Sequence, residues 1–335
     1  MSNHNRRVVL TERPTGMVSE SNLRVEEADV PTAGPGEALA AVRYLSIDPT
    51  IRTWMDDAPG YLPPIGIGEV IRSGGIAEIV ESNCPRYEPG QLVFGMTGWQ
   101  DYAIADEGEH TFQLLPPGVS PTIALGLFGI TGMTAYFGVL DVGKLKQGDV
   151  VVVSAAAGST GSTVGQIAKI KGAGKVVGIA GGPQKCSWIA DELGFDATID
   201  YKGEDVAARL REECPDGVDL FFDNVGGEIL DACLGQLALR GRVVLCGAIA
   251  SYNDRGARTG PANYGSLIIR RGRMEGFIIL DYFDRLPEAQ AQIAQWLAEG
   301  KLKSAEHLVE GLEHAPEALN LLFTGGNTGK VIVKV

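Results

Sequence analysis

The chain has 335 residues, of which 44% are hydrophobic and 21% are charged, and its formal net charge is −13. This composition excludes an intrinsically disordered chain, and the negative charge argues against a nucleic-acid groove or an anionic membrane surface as partner. No apolar run reaches the ~18 residues of a membrane span. The opening residues MSNHNRRVVL contain no apolar secretory core, so we expect a cytoplasmic protein.

Short strands are predicted through the first third of the chain. The segments alternate apolar and polar residues or are rich in β-branched residues, and turn residues separate them. The predicted strands are 7–10, 23–29, 37–44, 66–73, 77–82, 92–96 and 100–104. Strands at this spacing indicate a β-rich domain, a partly closed barrel.

Strands and helices alternate after Pro116-Pro117-Gly118. The predicted strands are 149–157, 175–180, 197–200, 219–224 and 242–247, and 273–280 is a candidate sixth strand. The helices predicted between them are 161–171, 183–193, 205–213 and 227–237. This alternation predicts an α/β domain with a Rossmann-type doubly wound parallel sheet. A helix near 287–299 and a tail of strand, helix and strand follow, and the tail does not continue the alternation.

A glycine-rich turn, AAAGSTGSTVG at 155–165, lies between the first of these strands and its helix. Aligned to the GxGxxG pattern, it has Ala156 in place of the first glycine and retains Gly158 and Gly161. Gly158 would let the backbone approach a pyrophosphate, and Gly161 would let the helix pack closely on the strand. The helix N-terminus would offer free N–H groups to the phosphates. The alternative is a tight turn in a domain that binds a different ligand.

The end of the second strand of this domain distinguishes NAD from NADP. NAD enzymes carry an acidic residue there for the ribose 2′-hydroxyl, whereas this chain has Ala180-Gly181-Gly182. Lys185 opens the next helix and offers a positive charge, and Tyr201 after the third strand adds a phenol. The sequence therefore predicts NADPH rather than NADH, unless Lys185 is only a solvated surface lysine.

Cysteine and histidine usage argues against a metal site. The five cysteines form no CxxC pair, and the four histidines form no HExxH motif, so free thiols and no zinc are predicted. Asp48 and Arg52 resemble an acid–base pair, but a turn-fixing ion pair is the favoured interpretation. Cys246 is interpreted as a small residue beside the cofactor rather than a nucleophile, because no base is apparent near it.

Several segments together make the chain similar to a known family. They are YLSIDPTIRTWM (44–55), GITGMTAYFGVLDVGKLKQGD (129–149), AAAGSTGSTVGQIAKIKG (155–172), AGGPQKC (180–186), FDNVGGE (222–228), LCGAIASYN (245–253), MEGFII (274–279) and GGNTGKVIV (325–333). Over nearly its whole length the chain resembles the zinc-independent double-bond reductases of the medium-chain dehydrogenase/reductase family. This branch includes prostaglandin, alkenal and curcumin reductases.

The resemblance implies a specific domain arrangement. A GroES-like, partly open β-barrel catalytic domain would comprise 1–122 and 296–335, and a Rossmann NADP-binding domain would be inserted at 123–295. Zinc-using relatives carry a Cys and a Gly-His-Glu segment where this chain has Ser46-Ile47-Asp48-Pro49 and Gly66-Ile67-Gly68-Glu69. The resemblance therefore also implies that no metal is bound.

The resemblance assigns site residues position by position. The cofactor contacts that it implies are Gly158, Ser159, Thr160, Gly161, Lys185, Tyr201, Asn224, Cys246, Gly247, Ala248, Tyr252, Phe277, Ile278, Ile279 and Asn327. Tyr252 is the candidate catalytic residue, as hydrogen-bond donor or proton relay, and the alternative is a tyrosine that only shapes the pocket. Tyr44, Tyr61 and Met133 are weaker candidates for the substrate pocket.

The activity that the resemblance implies is NADPH-dependent reduction of the C=C bond of α,β-unsaturated ketones or aldehydes, with hydride transfer to the β-carbon. An NADPH-dependent quinone oxidoreductase is the alternative enzyme, and a non-catalytic NADPH-binding protein is the alternative of another class. A homodimer through the cofactor domain is also expected. Pairing between copies would cover the apolar segment 273–280 at the edge of the sheet.

Overall fold

A computed structural model describes residues 4–108, 112–254 and 260–335. The chain forms two compact units. Unit 1 comprises the described residues within 1–125, 252–255 and 306–335, and unit 2 those within 126–251 and 256–305. The tail thus enters unit 1 at 306, later than the predicted 296, and Tyr252 groups with unit 1 rather than with the inserted segment.

The strands are numbered in chain order. They are β1 (His4–Leu10), β2 (Leu23–Asp29), β3 (Glu37–Ser46), β4 (Gly75–Ser82), β5 (Leu92–Gly95), β6 (Tyr102–Asp106), β7 (Phe112–Leu114), β8 (Val150–Ser154), β9 (Lys175–Ala180), β10 (Ala197–Asp200), β11 (Val218–Asp223), β12 (Leu237–Leu245), β13 (Arg273–Gly276), β14 (Glu306–Glu310) and β15 (Lys330–Lys334).

The α-helices are numbered in the same way. They are α1 (Thr50–Trp54), α2 (Pro121–Leu125), α3 (Ile130–Phe137), α4 (Ser159–Ile170), α5 (Pro183–Asp191), α6 (Val206–Glu213), α7 (Gly227–Gly235), α8 (Ser266–Arg270), α9 (Leu286–Ala298) and α10 (Ala315–Thr324). Among the described helices, none is long and apolar enough to cross a membrane.

Unit 1 is built on a mainly antiparallel sheet. Within the described ranges its strand order is β14-β15-β3-β4-β5-β7, with β6 also pairing with β3, and β1 and β2 form a separate hairpin. The long strand β3 pairs with β4, β6 and β15, so it joins the N-terminal strands to the C-terminal tail. Helix α10 contributes Ala315, Ala318 and Leu319 to the same core as Val8 and Leu45, which makes the tail an integral part of unit 1.

One predicted strand of unit 1 is wrong and one strand was not predicted. Segment 66–73 lies beside β1, where Gly68 N–H donates to the Leu10 carbonyl and Ile71 N–H to the Val8 carbonyl. A turn between Gly66 and Glu69 interrupts the ladder, because Glu69 accepts a hydrogen bond from the Gly66 N–H at 2.8 Å. The short strand β7 lacked a clear alternating pattern.

Unit 2 confirms the predicted doubly wound sheet. Among the described residues the strand order is β10-β9-β8-β11-β12-β13, and every pair is parallel. The order reverses between β8 and β11, and ligands of such sheets bind at the carboxyl ends of the strands at this point. The predicted strand at 273–280 is shorter in the structure. It ends at Gly276, and Ile279–Arg285 forms a 3₁₀ helix, so Phe277, Ile278 and Ile279 follow the strand instead of forming it.

The turn that ends β3 is held by a buried lysine. Lys330 is 2% exposed, and its ammonium donates to the Ile47 carbonyl at 2.9 Å and to Asp48 Oδ1 at 2.7 Å. The predicted pairing of Asp48 with Arg52 is wrong, since Arg52 instead binds Asp56 and the carbonyls of Pro14 and Gly16. Each charge takes the partner that the tertiary fold places beside it.

Candidate functional site

The turn from β8 to α4 brings the backbone of a helix very close to the sheet. Gly158 is the N-cap of α4, and a Cβ atom on Gly161 would lie 2.4 Å from the Ala155 carbonyl oxygen. Real Cβ contacts do not approach so closely, so position 161 requires glycine. The Ser159 hydroxyl donates to Thr131 Oγ1 at 2.8 Å and ties the first turn of α4 to α3. The first N–H groups of α4 have no acceptor within the helix, which suits a phosphate group.

Lys185 lies on α5, the helix after β9, and Tyr201 directly follows β10. The Tyr201 N–H donates to the carbonyl of Ala180, the last residue of β9, at 3.1 Å. The structure adds Lys202 to this group. Tyr201 packs so closely on Gly181 that a Cβ atom there would lie 2.8 Å from its ring. Burial lowers the pKa of Lys185, and the neighbouring positive charge of Lys202 lowers it further. No periodic pattern in the sequence points to Lys202, although this residue directly follows Tyr201.

The carboxylate nearest to these lysines in sequence is tied to the backbone. Asp200 Oδ1 accepts hydrogen bonds from the Gly182 N–H at 2.7 Å and from the Lys202 N–H at 3.0 Å. The ammonium groups of Lys185 and Lys202 and the phenol of Tyr201 are groups that bind phosphate. Together they fit a 2′-phosphorylated dinucleotide.

The ends of β11 and β12 hold the next predicted cofactor residues. The Asn224 side chain donates to the Ser154 carbonyl at 2.7 Å. The N–H groups of Cys246 and Gly247 donate to the Asp223 carbonyl at 2.9 and 3.1 Å, and Ala248 follows directly. Burial raises the pKa of the Cys246 thiol to about 12, although the residue as a whole is partly exposed. The thiol is therefore protonated at neutral pH, consistent with a small residue rather than a nucleophile.

Phe277 and Met133 occupy different environments in unit 2. Phe277 is partly buried, and its ring meets that of Phe222 edge-on with centroids 6.5 Å apart. Ile278 is also partly buried, whereas Ile279 is 8% exposed. Met133 is 1% exposed on α3, so in this structure it is a core residue.

The remaining candidates belong to unit 1. Tyr252 is partly buried directly after the short turn Ile249–Ser251. Tyr44 packs beside the apolar cluster around Ile76, and Tyr61 is 44% exposed with its ring edge-on to Trp54 at 6.4 Å. Asn327 is 7% exposed, and its amide donates to the Gly329 carbonyl at 3.1 Å. Tyr252 and Tyr61 thus differ in exposure.

The segments Ser46-Ile47-Asp48-Pro49 and Gly66-Ile67-Gly68-Glu69 use their polar groups internally. Ser46 Oγ donates to Asp48 Oδ2 at 2.5 Å, and Glu69 closes its own turn. In the part of the chain that the structure describes, no cluster of three or more His, Cys, Asp or Glu side chains forms a metal-binding group.

Comparison with known proteins places the chain among oxidoreductases. A family model for the N-terminal domain of oxidoreductase matches residues 6–114, and a zinc-binding dehydrogenase model matches residues 159–297. The chain is 43% identical to the NADPH-dependent curcumin reductase of Escherichia coli (strain K12), covering 99% of this chain and 97% of that protein. It is 38% identical to the 2-alkenal reductase (NADP(+)-dependent) of Nicotiana tabacum, with the same coverage of 99% and 97%. The crystal structure of CurA from Vibrio vulnificus in complex with NADPH is 44% identical, with a TM-score of 0.93 over 98% of this chain and 99% of that chain.

Lys185→Met should weaken NADPH binding about tenfold or more, because a charge-assisted hydrogen bond to the 2′-phosphate is lost. Lys202→Met should give a smaller loss in the same direction. Binding of NADH, which lacks this phosphate, should change by less than twofold. The measurement is a fluorescence titration of each cofactor. Lys169→Met is the control, because Lys169 lies on α4 and pairs with Asp196. An equal loss of NADH binding would contradict the assignment.

Proposed function

Because this chain belongs to the zinc-independent double-bond reductase branch of the medium-chain dehydrogenases/reductases, we propose that it reduces the C=C bond of α,β-unsaturated ketones and aldehydes with NADPH. The product is the saturated carbonyl compound. The observation that carries the proposal is the similarity, over 99% of this chain, to a curcumin reductase (43% identity) and to a 2-alkenal reductase (38% identity). A 2-alkenal is by its name a conjugated aldehyde. The neighbouring positive charges of Lys185 and Lys202 and the phenol of Tyr201 support the use of NADPH.

The chemistry has three requirements, and NADPH supplies the first, a hydride for the β-carbon. The second is a donor for the carbonyl oxygen, which gains negative charge as the enolate forms. The third is a proton for the α-carbon. The overall reaction converts one enone, one NADPH and one proton to one saturated carbonyl compound and one NADP⁺.

Tyr252 is our candidate for the donor or the proton relay. A tyrosine hydroxyl carries a proton at neutral pH and donates it in a hydrogen bond. Tyr44 and Tyr61 are assigned only a shaping role in the pocket. The Cys246 thiol is not assigned a step, because its raised pKa leaves it neutral.

Tyr252→Phe should lower kcat for an enone at least about tenfold, because removing one oxyanion donor typically costs ~10²–10³ in rate and water replaces part of it. The affinity for NADPH should change by less than twofold. Steady-state kinetics and a cofactor titration measure the two effects. Tyr61→Phe is the matched control and should have a smaller effect on kcat. Unchanged turnover in Tyr252→Phe would remove Tyr252 from the mechanism.

A panel of acceptors tests the reaction class. We expect rapid NADPH oxidation with an aryl enone and none with the corresponding saturated ketone. With the enone, NADH in place of NADPH should react more slowly. Product analysis should show the saturated ketone. Turnover of a simple quinone without turnover of the enone would favour the quinone oxidoreductase. If the protein binds NADPH tightly but oxidises it with none of these acceptors, the non-catalytic NADPH-binding protein would be favoured.

We also propose that unit 2 pairs with a second copy of the chain. Strand β13 ends the sheet, and helix α8 packs on the neighbouring β12. Four large apolar side chains are exposed in this region: Leu239 56%, Tyr264 63%, Ile268 77% and Ile269 72%. An edge strand beside exposed apolar residues is a hazard for aggregation, and two-fold pairing would cover both.

Replacing Ile268 and Ile269 together by Asp should convert a dimer to a monomer, because two charges would be buried in an apolar interface. Sedimentation at micromolar concentration measures the change. Ile67→Asp is the control, since Ile67 is 57% exposed in unit 1. A monomeric native protein under these conditions would refute the dimer.

The proposed compartment is the cytoplasm. The five cysteines are free in the structure, and four of them are buried. Free thiols are typical of reducing compartments.

A further inference from the structure

Asp223, the last residue of β11, is a fully buried carboxylate at the carboxyl end of the parallel sheet. Its oxygens accept a hydrogen bond from Ser154 Oγ at 2.9 Å and from the N–H groups of Val225 and Gly226 at 3.0 to 3.1 Å. Burial raises the pKa of this carboxyl in spite of these three donors, each of which lowers it. A buried charge that is only partly compensated is costly for folding, so its position calls for a reason.

The hydrogen bonds of Asp223 join three segments of the chain. Ser154 Oγ, which donates to the carboxylate, accepts a hydrogen bond from the Asn224 N–H at 2.8 Å. The Asn224 side chain then donates to the Ser154 carbonyl at 2.7 Å. The main-chain carbonyl of Asp223 accepts from the N–H groups of Cys246 and Gly247. The end of β8, the turn after β11 and the segment after β12 are therefore fixed to one residue.

We propose that Asp223 is a positioning residue for NADPH, acting through Ser154 and Asn224. The three segments that it joins include Asn224, Cys246 and Gly247, which we assign to the cofactor. Because these segments are already ordered before NADPH binds, binding loses less conformational entropy. The inference rests on the proposed cofactor contacts and does not depend on the enone as substrate.

Asp223→Asn is the first test. An amide in place of the carboxylate presents an NH₂ group where one oxygen now accepts from the Gly226 N–H at 3.0 Å. Two donors would then face each other, and the turn that carries Asn224 would have to shift. We expect the Kd for NADPH to rise about tenfold, because binding would have to restore the shifted turn at a cost comparable to one hydrogen bond to a charged group. A fluorescence titration without any acceptor measures it, so a failure of the proposed enone activity would not affect the result.

Ser154→Ala is the second variant, because it removes the hydroxyl between Asp223 and Asn224 and leaves the carboxylate in place. Its Kd for NADPH should rise about threefold or more. If Asp223→Asn does not fold, this variant decides the question. An unchanged Kd in Ser154→Ala would then overturn the proposal.

Asp219→Asn is the matched control. Asp219 lies near the opposite end of β11, and its carboxylate accepts from the Val150 N–H on β8 at 2.9 Å. The control should lower the melting temperature and leave the Kd for NADPH within twofold of the native value. A purely structural role for Asp223 predicts the same pattern in both variants. Equal changes in Kd for Asp219→Asn and Asp223→Asn, or none in either, would refute the positioning role.

Discussion

The close contact between the start of α4 and the end of β8 is the constraint on which the cofactor end of unit 2 depends. At Gly161 the helix backbone lies so near Ala155 that a single methyl group would collide with a carbonyl oxygen 2.4 Å away. Farther along the helix, a Cβ atom on Gly165 would lie 1.9 Å from the ring of Phe195. The helix can therefore lie tightly on the sheet, and its N-terminus remains fixed at the switch point between β8 and β11. Asn224, Cys246 and Gly247, which we assign to the cofactor, follow strands that end at the same edge of the sheet.

Charge acts at two length scales in this protein. The chain as a whole carries a net charge of −13, which disfavours the approach of an anionic cofactor. Salt screens such long-range repulsion beyond about 8 Å at physiological ionic strength. At shorter range Lys185 and Lys202 supply positive charge, and Oδ1 of the nearby Asp200 accepts hydrogen bonds from backbone N–H groups. We therefore attribute the preference for NADPH to these local groups rather than to the net charge of the chain.

A buried ion pair holds together the two chain segments that build unit 1. The turn after β3 is fixed by the buried ammonium of Lys330 on β15. This pair joins the N-terminal half of the unit to its C-terminal tail. The hydroxyl of Ser46 donates a hydrogen bond to Asp48 in the same network. The chemistry that we propose for the unit rests on the hydroxyl group of Tyr252.

The sequence by itself determined the parts of the protein that depend on neighbours in the chain. Strands β9 and β10, the β8–α4 turn and the positions of Lys185 and Tyr201 follow from periodicity, turn residues and short spacing. Tertiary structure alone decided the rest. Segment 66–73 contains a turn closed by Glu69 in place of the predicted strand. Asp48 binds Lys330, which is 282 positions away in the sequence, and Ser154 binds Asp223, which is 69 positions away. Local patterns record backbone preference and burial, whereas the partner of a buried charge is set by which distant strands lie side by side.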